Sequence, residues 1–275
     1  MTRGVGGATR VAGIIGDPVA HSRSPAIHNA AYADLDLDWV YVAFPVPAGQ
    51  ASAALHGMRA LGIRGLNVTM PHKREAAAAC DRLSATAALL GAVNAVVNRD
   101  GELVGESTDG EGLVRSMRDE GVEPGGTSVL VLGAGGAARA IVLALVEAGA
   151  DVTVAARRAE AALEAAALAP GARGVGFDDL DATVAAASVV VNATPLGMQG
   201  ERPPFAPDAL GDQQLVLDTV YHPAETPLLA IARERGIPAA NGLGMLAHQA
   251  ALSFELFTGV AAPLEVMRAA AAGTR

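Results

Sequence analysis

The chain reads as an α/β protein, and three observations predict this class. Short β-rich runs alternate with Ala/Leu-rich amphipathic stretches along its whole length, the sequence form of βαβ units. A glycine-rich loop at residues 133–138 follows one such run directly and opens a helical stretch. Of 275 residues, 51% are hydrophobic and 18% charged, enough to fill the core of one large domain or two modest ones.

Taken in order, the first third places strands at 11–15, 39–46, 63–69 and 93–98, with helical patterns opening at Ser24, Ala48, His72 and Ala85. The run Glu123-Pro124-Gly125-Gly126 then forms a turn. Beyond it, strands are expected near 128–132, 152–155, 174–177, 189–192, 215–220 and 238–240, a full doubly wound parallel sheet with helices on both faces. The Ala-rich tract 159–169 carries Leu163, Leu168 and interspersed Glu, which suits a packed helix better than a linker. Residues 245–257 and 263–272 read as two final helices with no further strand to pair, expected to pack back on the first domain. The expected division is 1–109, completed by 244–275, and 110–243.

Composition removes several classes. The balance of 20 basic and 29 acidic residues gives a net charge of −9, and no Lys/Arg stripe tracks a phosphate backbone, so nucleic acid is not an expected partner. The longest uncharged run, 182–200, is broken by Ser188, Asn192, Thr194, Pro195 and Gly197 and does not read as a membrane span. Behind Arg3 and Arg10, the apolar stretch 11–15 is too short for a signal peptide, so the reading is a soluble, cytoplasmic protein. The six histidines form no HExxH pattern and no helical metal spacing; no metal is expected. The single cysteine, Cys80, falls in an apolar helix at 76–81 and reads as a small buried thiol rather than a nucleophile.

The loop motif is Gly133-Ala134-Gly135-Gly136-Ala137-Ala138, preceded by Val129-Leu130-Val131-Leu132. Gly133 permits the tight turn, Gly135 lets backbone amides approach a pyrophosphate, and Ala138 keeps helix and strand close, while the helix N-terminus favours the phosphates. The next strand ends in Ala155-Ala156-Arg157-Arg158, where an NAD-binding chain would carry an acid for the ribose 2′-hydroxyl. The nearest acid, Asp151, starts that strand at the wrong end, and two guanidinium groups suit a 2′-phosphate; the expected cofactor is NADP.

Clusters that periodicity does not demand occupy the first domain: His21-Ser22-Arg23-Ser24-Pro25, Asn67-Val68-Thr69-Met70-Pro71-His72-Lys73, Ala92-Val93-Asn94 and Ser107-Thr108-Asp109-Gly110. Each is expected after a strand, which gathers them at the carboxyl ends where open α/β sheets bind ligands. Ser22 and Ser24 present two hydroxyls suited to a carboxylate, and Ser24-Pro25 also reads as an N-cap and first-turn pair. Lys73 suits proton donation to a carbonyl oxygen beside a carboxylate such as Asp109. Spacing alone does not separate that role from a helix-start lysine and an N-cap aspartate.

Taken in order with Asn192-Ala193-Thr194, Asp218-Thr219-Val220-Tyr221-His222-Pro223 and the run Asn241-Gly242-Leu243-Gly244-Met245-Leu246-Ala247-His248-Gln249-Ala250, these motifs resemble the shikimate dehydrogenase family along the whole chain. The resemblance implies an N-terminal substrate-binding domain, a Rossmann-type NADP-binding domain, C-terminal helices returning to the first, and substrate between them. It implies reversible reduction of 3-dehydroshikimate at C3 to shikimate, a step towards chorismate and the aromatic amino acids. Ser22 and Ser24 would hold the substrate carboxylate; Asn67, Thr69, Asn94, Tyr221 and Gln249 its ring hydroxyls; Lys73 and Asp109 would carry proton transfer. The cofactor set would be Gly133, Ala134, Gly135, Gly136, Ala137, Ala156, Arg157, Arg158, Asn192, Ala193, Thr194, Val220, Gly242 and Met245, though Met245 reads equally as core. Family members are compatible with a monomer or a homodimer. Ala95 and Ser107 stand where the family most often has Thr and Asn, and Ala156 replaces the usual Asn; the missing Thr hydroxyl bears on substrate positioning. Two other readings stand beside this one: a quinate or dual quinate/shikimate dehydrogenase using NAD, and a non-catalytic metabolite sensor on the same scaffold. Arg157 and Arg158 speak against the first, and the Lys73/Asp109 pair against the second.

Overall fold

The structure is a computed structural model, and it describes residues 4–273. The chain divides into two units, residues 1–108 with 246–275, and residues 109–245. The break falls one residue before the expected boundary at 109 and two after the expected end at 243.

The first unit runs β1 (Arg10–Gly16), α1 (Ser24–Asp34), β2 (Trp39–Pro45), α2 (Ala51–Ala60), β3 (Gly65–Val68), α3 (Lys73–Ala79), β4 (Arg82–Leu83), α4 (Ala85–Leu90), β5 (Ala95–Arg99) and β6 (Glu102–Glu106). Its six strands lie in the order β2-β1-β3-β5-β6-β4. The sheet is mixed, not parallel as expected. β1 runs parallel to β2 and β3, but β5 is antiparallel to both β3 and β6. Two strands are additional to the sequence reading, β4 and β6. The second has a physical signature: Asp100 and Gly101 both adopt positive φ, 53° and 100°, forming the two-residue turn of a hairpin in which Arg99 faces Glu102. Only Leu103 and Val104 of β6 are large and apolar, so its pattern is faint and the turn is the stronger signal.

The antiparallel β5 changes how the clusters meet. Asn94 precedes β5 rather than following a strand, and because β5 is reversed its start lies beside the ends of β3 and β6. Val68 N donates to Asn94 O at 2.8 Å, and Asn94 N donates to Glu106 O at 3.0 Å. The residues after β1, β3 and β6 and before β5 therefore share one sheet edge. Leu55, Met58, Leu66, Val96 and Leu103 fill the core beneath it.

The second unit begins with α5 (Asp109–Asp119) and continues β7 (Ser128–Leu132), α6 (Gly136–Glu147), β8 (Asp151–Ala155), α7 (Ala159–Ala166), β9 (Arg173–Val175), α8 (Leu180–Ala186), β10 (Val189–Asn192), a 3-10 turn (Pro207–Ala209), β11 (Leu215–Asp218), α9 (Pro227–Glu234) and β12 (Ala239–Ala240). Its sheet is all parallel in the order β12-β11-β10-β7-β8-β9, the dinucleotide-binding arrangement whose strand order reverses between β7 and β10. β7, β10 and β11 are buried on both faces, which is why they read as continuous Val/Leu runs. The helix at α7 is present, but its buried stripe is Ala162, Ala165 and Ala166, while Leu163 is 56% exposed. Small residues there let helix and sheet approach closely. At α9, Thr226 caps the first turn by accepting from Leu229 N at 3.3 Å, with Pro227 at the first helical position.

The final helices are α10 (Leu243–Thr258) and α11 (Leu264–Ala272). Ala247, Phe254 and Phe257 of α10 are buried, and α11 packs on α1, where the Arg23 guanidinium donates to Ala271 O. This tie within the first unit is what the returning helices provide.

Candidate active site

In the second unit, β7 runs into the loop and α6 at the point where strand order reverses. Gly133 has φ +113°, and a Cβ there would sit 2.9 Å from Ala193 O, so this glycine is required by the fold itself. Gly135 differs. Its φ is −77°, and a Cβ on it would meet nothing within 4 Å, so the protein's own packing does not demand glycine there. Among the described residues no side chain caps the first turn of α6, which leaves backbone N–H groups and the positive helix end available to an anion.

Beside this helix end opens a cavity of about 310 Å³ lined by Ala134, Gly135, Ala156, Arg157, Arg158 and Ala161. Both arginines are exposed, and among the described residues no carboxylate lines the space. Asp151 is at the opposite end of β8, paired with Arg173 at 3.0 Å. An uncapped helix end, a glycine beside open space and two guanidinium groups together fit a phosphorylated dinucleotide. Arg139, absent from the sequence reading, holds the loop: Nε donates to Ala134 O and Nη2 pairs with Glu164, each at 3.1 Å.

The segments after β10 and β11 are organised by Asp218, which is 2% exposed. Its Oδ1 accepts from Asn192 Nδ2 at 2.9 Å and Val220 N at 3.0 Å, and its Oδ2 accepts from Thr226 Oγ1 at 2.7 Å. Burial raises its carboxyl above the ordinary range, and the hydrogen bonds from Thr226, Val220 and Asn192 oppose that shift. The Asn192 amide is filled by protein partners: Nδ2 also reaches Leu196 O at 3.0 Å, while Oδ1 accepts from Thr194 N at 3.1 Å and Oγ1 at 2.6 Å. Asn192 thus shapes the Ala193–Thr194 turn through its side chain. Gly242 N donates to Val220 O at 3.0 Å, which ties the start of α10 to the same segment; Met245 is half-buried in the first turn of that helix.

In the first unit, one hydrogen-bond network joins Tyr41, Asn67, Asn94 and Gln249. Asn67 Nδ2 donates to Asn94 O at 3.1 Å and Ser253 Oγ at 2.8 Å, and Asn67 Oδ1 accepts from Tyr41 Oη at 2.7 Å. Asn94 Nδ2 donates to Thr108 Oγ1 at 2.9 Å, while Thr108 N donates to Asn94 Oδ1 at 2.7 Å. Thr108 and Ser253 hydroxyls both donate to Gln249 O, at 3.2 and 2.9 Å. Thr108 stands in the cluster Ser107-Thr108-Asp109-Gly110 without a role of its own, and Tyr41 and Ser253 are not singled out from sequence, because an apolar strand position and a mid-helix Ser carry no separate signal.

The two serines divide their work differently from the N-cap expectation. Arg23, not Ser24, is the N-cap of α1, and Ser22 Oγ accepts from Ser24 N at 3.2 Å. Ser24 is buried, and Ser22 and Thr69 are half-buried. Lys73 opens α3, is half-buried, and has its backbone fixed by Val93 N donating to Lys73 O at 3.0 Å. The preceding His72 is 1% exposed and bonds Val46 O through Nε2 at 2.8 Å, which anchors the start of that helix. Asp109 opens α5, and Tyr221 follows β11; both are half-buried and belong to the second unit. Ala95 is fully buried and faces Asn67 directly across the antiparallel pair, hence on the same face of the sheet.

Cys80 lies one residue past α3 rather than inside a helix, and is half-buried; burial and neighbouring Asp81 push its thiol up to about 11, which suppresses the reactive thiolate. Among the described residues no group of three His, Cys, Asp or Glu is placed to hold a metal, and no helix is long and apolar enough to cross a membrane.

The parallel sheet order, the uncapped helix behind a glycine loop and the paired arginines define the second unit as a Rossmann-type dinucleotide-binding domain. Residues 14–96 match the family described as Shikimate dehydrogenase substrate binding domain, 120–197 that of Shikimate / quinate 5-dehydrogenase, and 242–272 that of Shikimate 5'-dehydrogenase C-terminal domain. The shikimate dehydrogenase (NADP(+)) of Methanopyrus kandleri is 44% identical over 274 residues, covering 95% of this chain and 94% of that protein, and the chain belongs to the shikimate dehydrogenase family. The same-named protein of Symbiobacterium thermophilum is 45% identical over 277 residues, covering 96% and 94%. The crystal structure of shikimate 5-dehydrogenase from Thermus thermophilus in complex with NADP(H) and shikimate superposes with a TM-score of 0.90 at 36% identity, covering 96% of this chain and 99% of that one.

Proposed function

We propose that this protein catalyses the NADP-dependent, reversible reduction of 3-dehydroshikimate to shikimate. The observation that carries the reading is the 44–45% identity with two shikimate dehydrogenases (NADP(+)) across nearly the whole of each chain. The cavity beside α6 supports the cofactor choice, since it offers two guanidinium groups and no acid. NADP supplies a hydride donor or acceptor when bound.

The chain's own residues then have these roles. Backbone N–H groups at Gly135, Gly136 and Ala137 hold the pyrophosphate, and Arg157 and Arg158 hold the 2′-phosphate. Ala134, Ala156, Ala193, Thr194, Val220, Gly242 and Met245 complete the cofactor surface. Ser22 and Ser24 bind the substrate carboxylate; Asn67, Thr69, Asn94, Tyr221 and Gln249 bind its ring hydroxyls. Lys73 Nζ gives a proton to the ketone oxygen in the reducing direction and takes one from the hydroxyl in the oxidising direction, with the Asp109 carboxylate orienting it and balancing its charge.

The test is oxidation of shikimate followed by nicotinamide absorbance, with wild type and Lys73→Ala. The variant is expected to lose roughly two to four orders of magnitude in kcat with a much smaller change in KM, the scale of a lost acid/base group. Near wild-type kcat in the variant would make Lys73 a structural residue.

A further inference from the structure

The polarity of the buried network in the first unit is fixed by its two ends. Asn94 O and Gln249 O are backbone carbonyls and can only accept. The atom of Asn67 that meets Asn94 O is therefore Nδ2, and Ser253, whose proton goes to Gln249 O at 2.9 Å, accepts the other amide proton. Both Asn67 N–H groups are used within the fold. The remaining partner, Tyr41 Oη at 2.7 Å, must donate to Oδ1. Among the described residues Asn67 keeps one unfilled hydrogen-bonding position of its own, the second lone pair of Oδ1.

Tyr41 is itself held by two residues of α1. Asn29 of α1 clamps its backbone, donating to Tyr41 O and accepting from Tyr41 N, each at 2.8 Å. His28, one residue earlier, stacks on its ring with centroids 4.2 Å apart and planes 9° apart. The residue is 1% exposed. One helix thus fixes Tyr41 in place and also carries Ser24. Burial moves the Tyr41 hydroxyl well above the ordinary phenol range, with Tyr32 adding to the shift, so it stays a proton donor at any working pH.

We propose that Tyr41 is a positioning residue that holds the Asn67 amide oxygen in place as an acceptor and, through α1, keeps that acceptor at a set spacing from the Ser24 hydroxyl. The site then selects a ligand that bears a hydroxyl donor at a fixed distance from a carboxylate. This rests on the substrate reading above and goes further, since it assigns the sense of one ligand hydrogen bond and the side chain that enforces it.

Tyr41→Phe removes only the hydroxyl. The expected result is a rise of about tenfold in KM for shikimate, the scale of a hydrogen bond lost in a buried site, with kcat and KM for NADP⁺ changed less than about threefold. A merely structural role would instead lower the melting temperature and kcat through the active fraction and leave KM for shikimate alone. In an Asn67→Ala background, Tyr41→Phe should add almost nothing, because the path through Asn67 is already cut. Unchanged KM in the single variant, or full additivity in the double variant, overturns the proposal. Should Tyr41→Phe fail to fold, Ser253→Ala loosens the same amide from its other side and must raise KM for shikimate in the same direction; no change there also overturns it. Wild type that fails to turn over shikimate overturns the substrate reading as well, whereas wild-type turnover with an indifferent Tyr41→Phe overturns this inference alone.

Discussion

His28 gives the first unit a pH dependence that can be worked out in advance. The ring is 0% exposed, neither nitrogen has a hydrogen-bond partner among the described residues, and burial lowers its pKa from 6.5 to about 3. In the folded chain the imidazole stays neutral, whereas in the unfolded chain it takes up a proton below its ordinary value. The unfolded state therefore binds more protons between those two values, and stability falls as pH drops through that window. From about pH 7 to about pH 5 the loss is about 2 kcal/mol, with a limiting slope of about 1.4 kcal/mol per pH unit. Trp39 is the single tryptophan, lies in β2 and packs against Tyr32 with ring centroids 5.5 Å apart, so its fluorescence follows unfolding of the first unit. Urea titrations read by Trp39 should show wild type losing about 2 kcal/mol over that interval relative to His28→Leu, which removes both buried nitrogens at similar volume. Parallel stability profiles for the two proteins would refute the reasoning.

Two further outcomes concern the cofactor side. Gly135→Ala places a methyl where nothing stands within 4 Å, so its melting temperature should stay within about 2 °C of wild type while affinity for NADP⁺ falls by more than about tenfold; loss of folding would show that the open surface is needed by the protein itself. Arg157→Asp puts an acid into the arginine-lined cavity and should move the ratio of kcat/KM for NADP⁺ over NAD⁺ towards NAD⁺ by about 10- to 100-fold, the worth of a charge-assisted contact with phosphate. An unchanged ratio would mean that Arg157 does not meet the 2′-phosphate.

The second unit was the more legible half of the sequence, for a physical reason. Strands buried on both faces must be apolar throughout, and the loop from Gly133 to Ala138 has few conformational alternatives, so pattern and position agree. The first unit hides more. β6 is Glu102-Leu103-Val104-Gly105-Glu106, with two large apolar residues, and its existence is marked by the Asp100-Gly101 turn. Missing that hairpin leaves β5 facing the wrong way and puts Asn94 at the wrong end of a strand, even though the residue itself stands out. Residue types announced the polar groups at the sheet edge; their hydrogen-bond order depends on pairs such as Asn67 with Ser253, 186 positions apart, which no local pattern encodes. The same holds for Ser24. Its sequence neighbourhood reads as a helix cap, but the N-cap of α1 is Arg23, and Ser22 accepts the Ser24 N–H.

Initial rates of wild-type enzyme with shikimate and with quinate, each paired with NADP⁺ and with NAD⁺, test the central claim most directly. Reduced nicotinamide should form fastest from shikimate with NADP⁺, and kcat/KM should fall at least about tenfold when either the acid or the cofactor is exchanged. Equal or better kcat/KM with quinate and NAD⁺, or binding of shikimate with no turnover in any pairing, would contradict it.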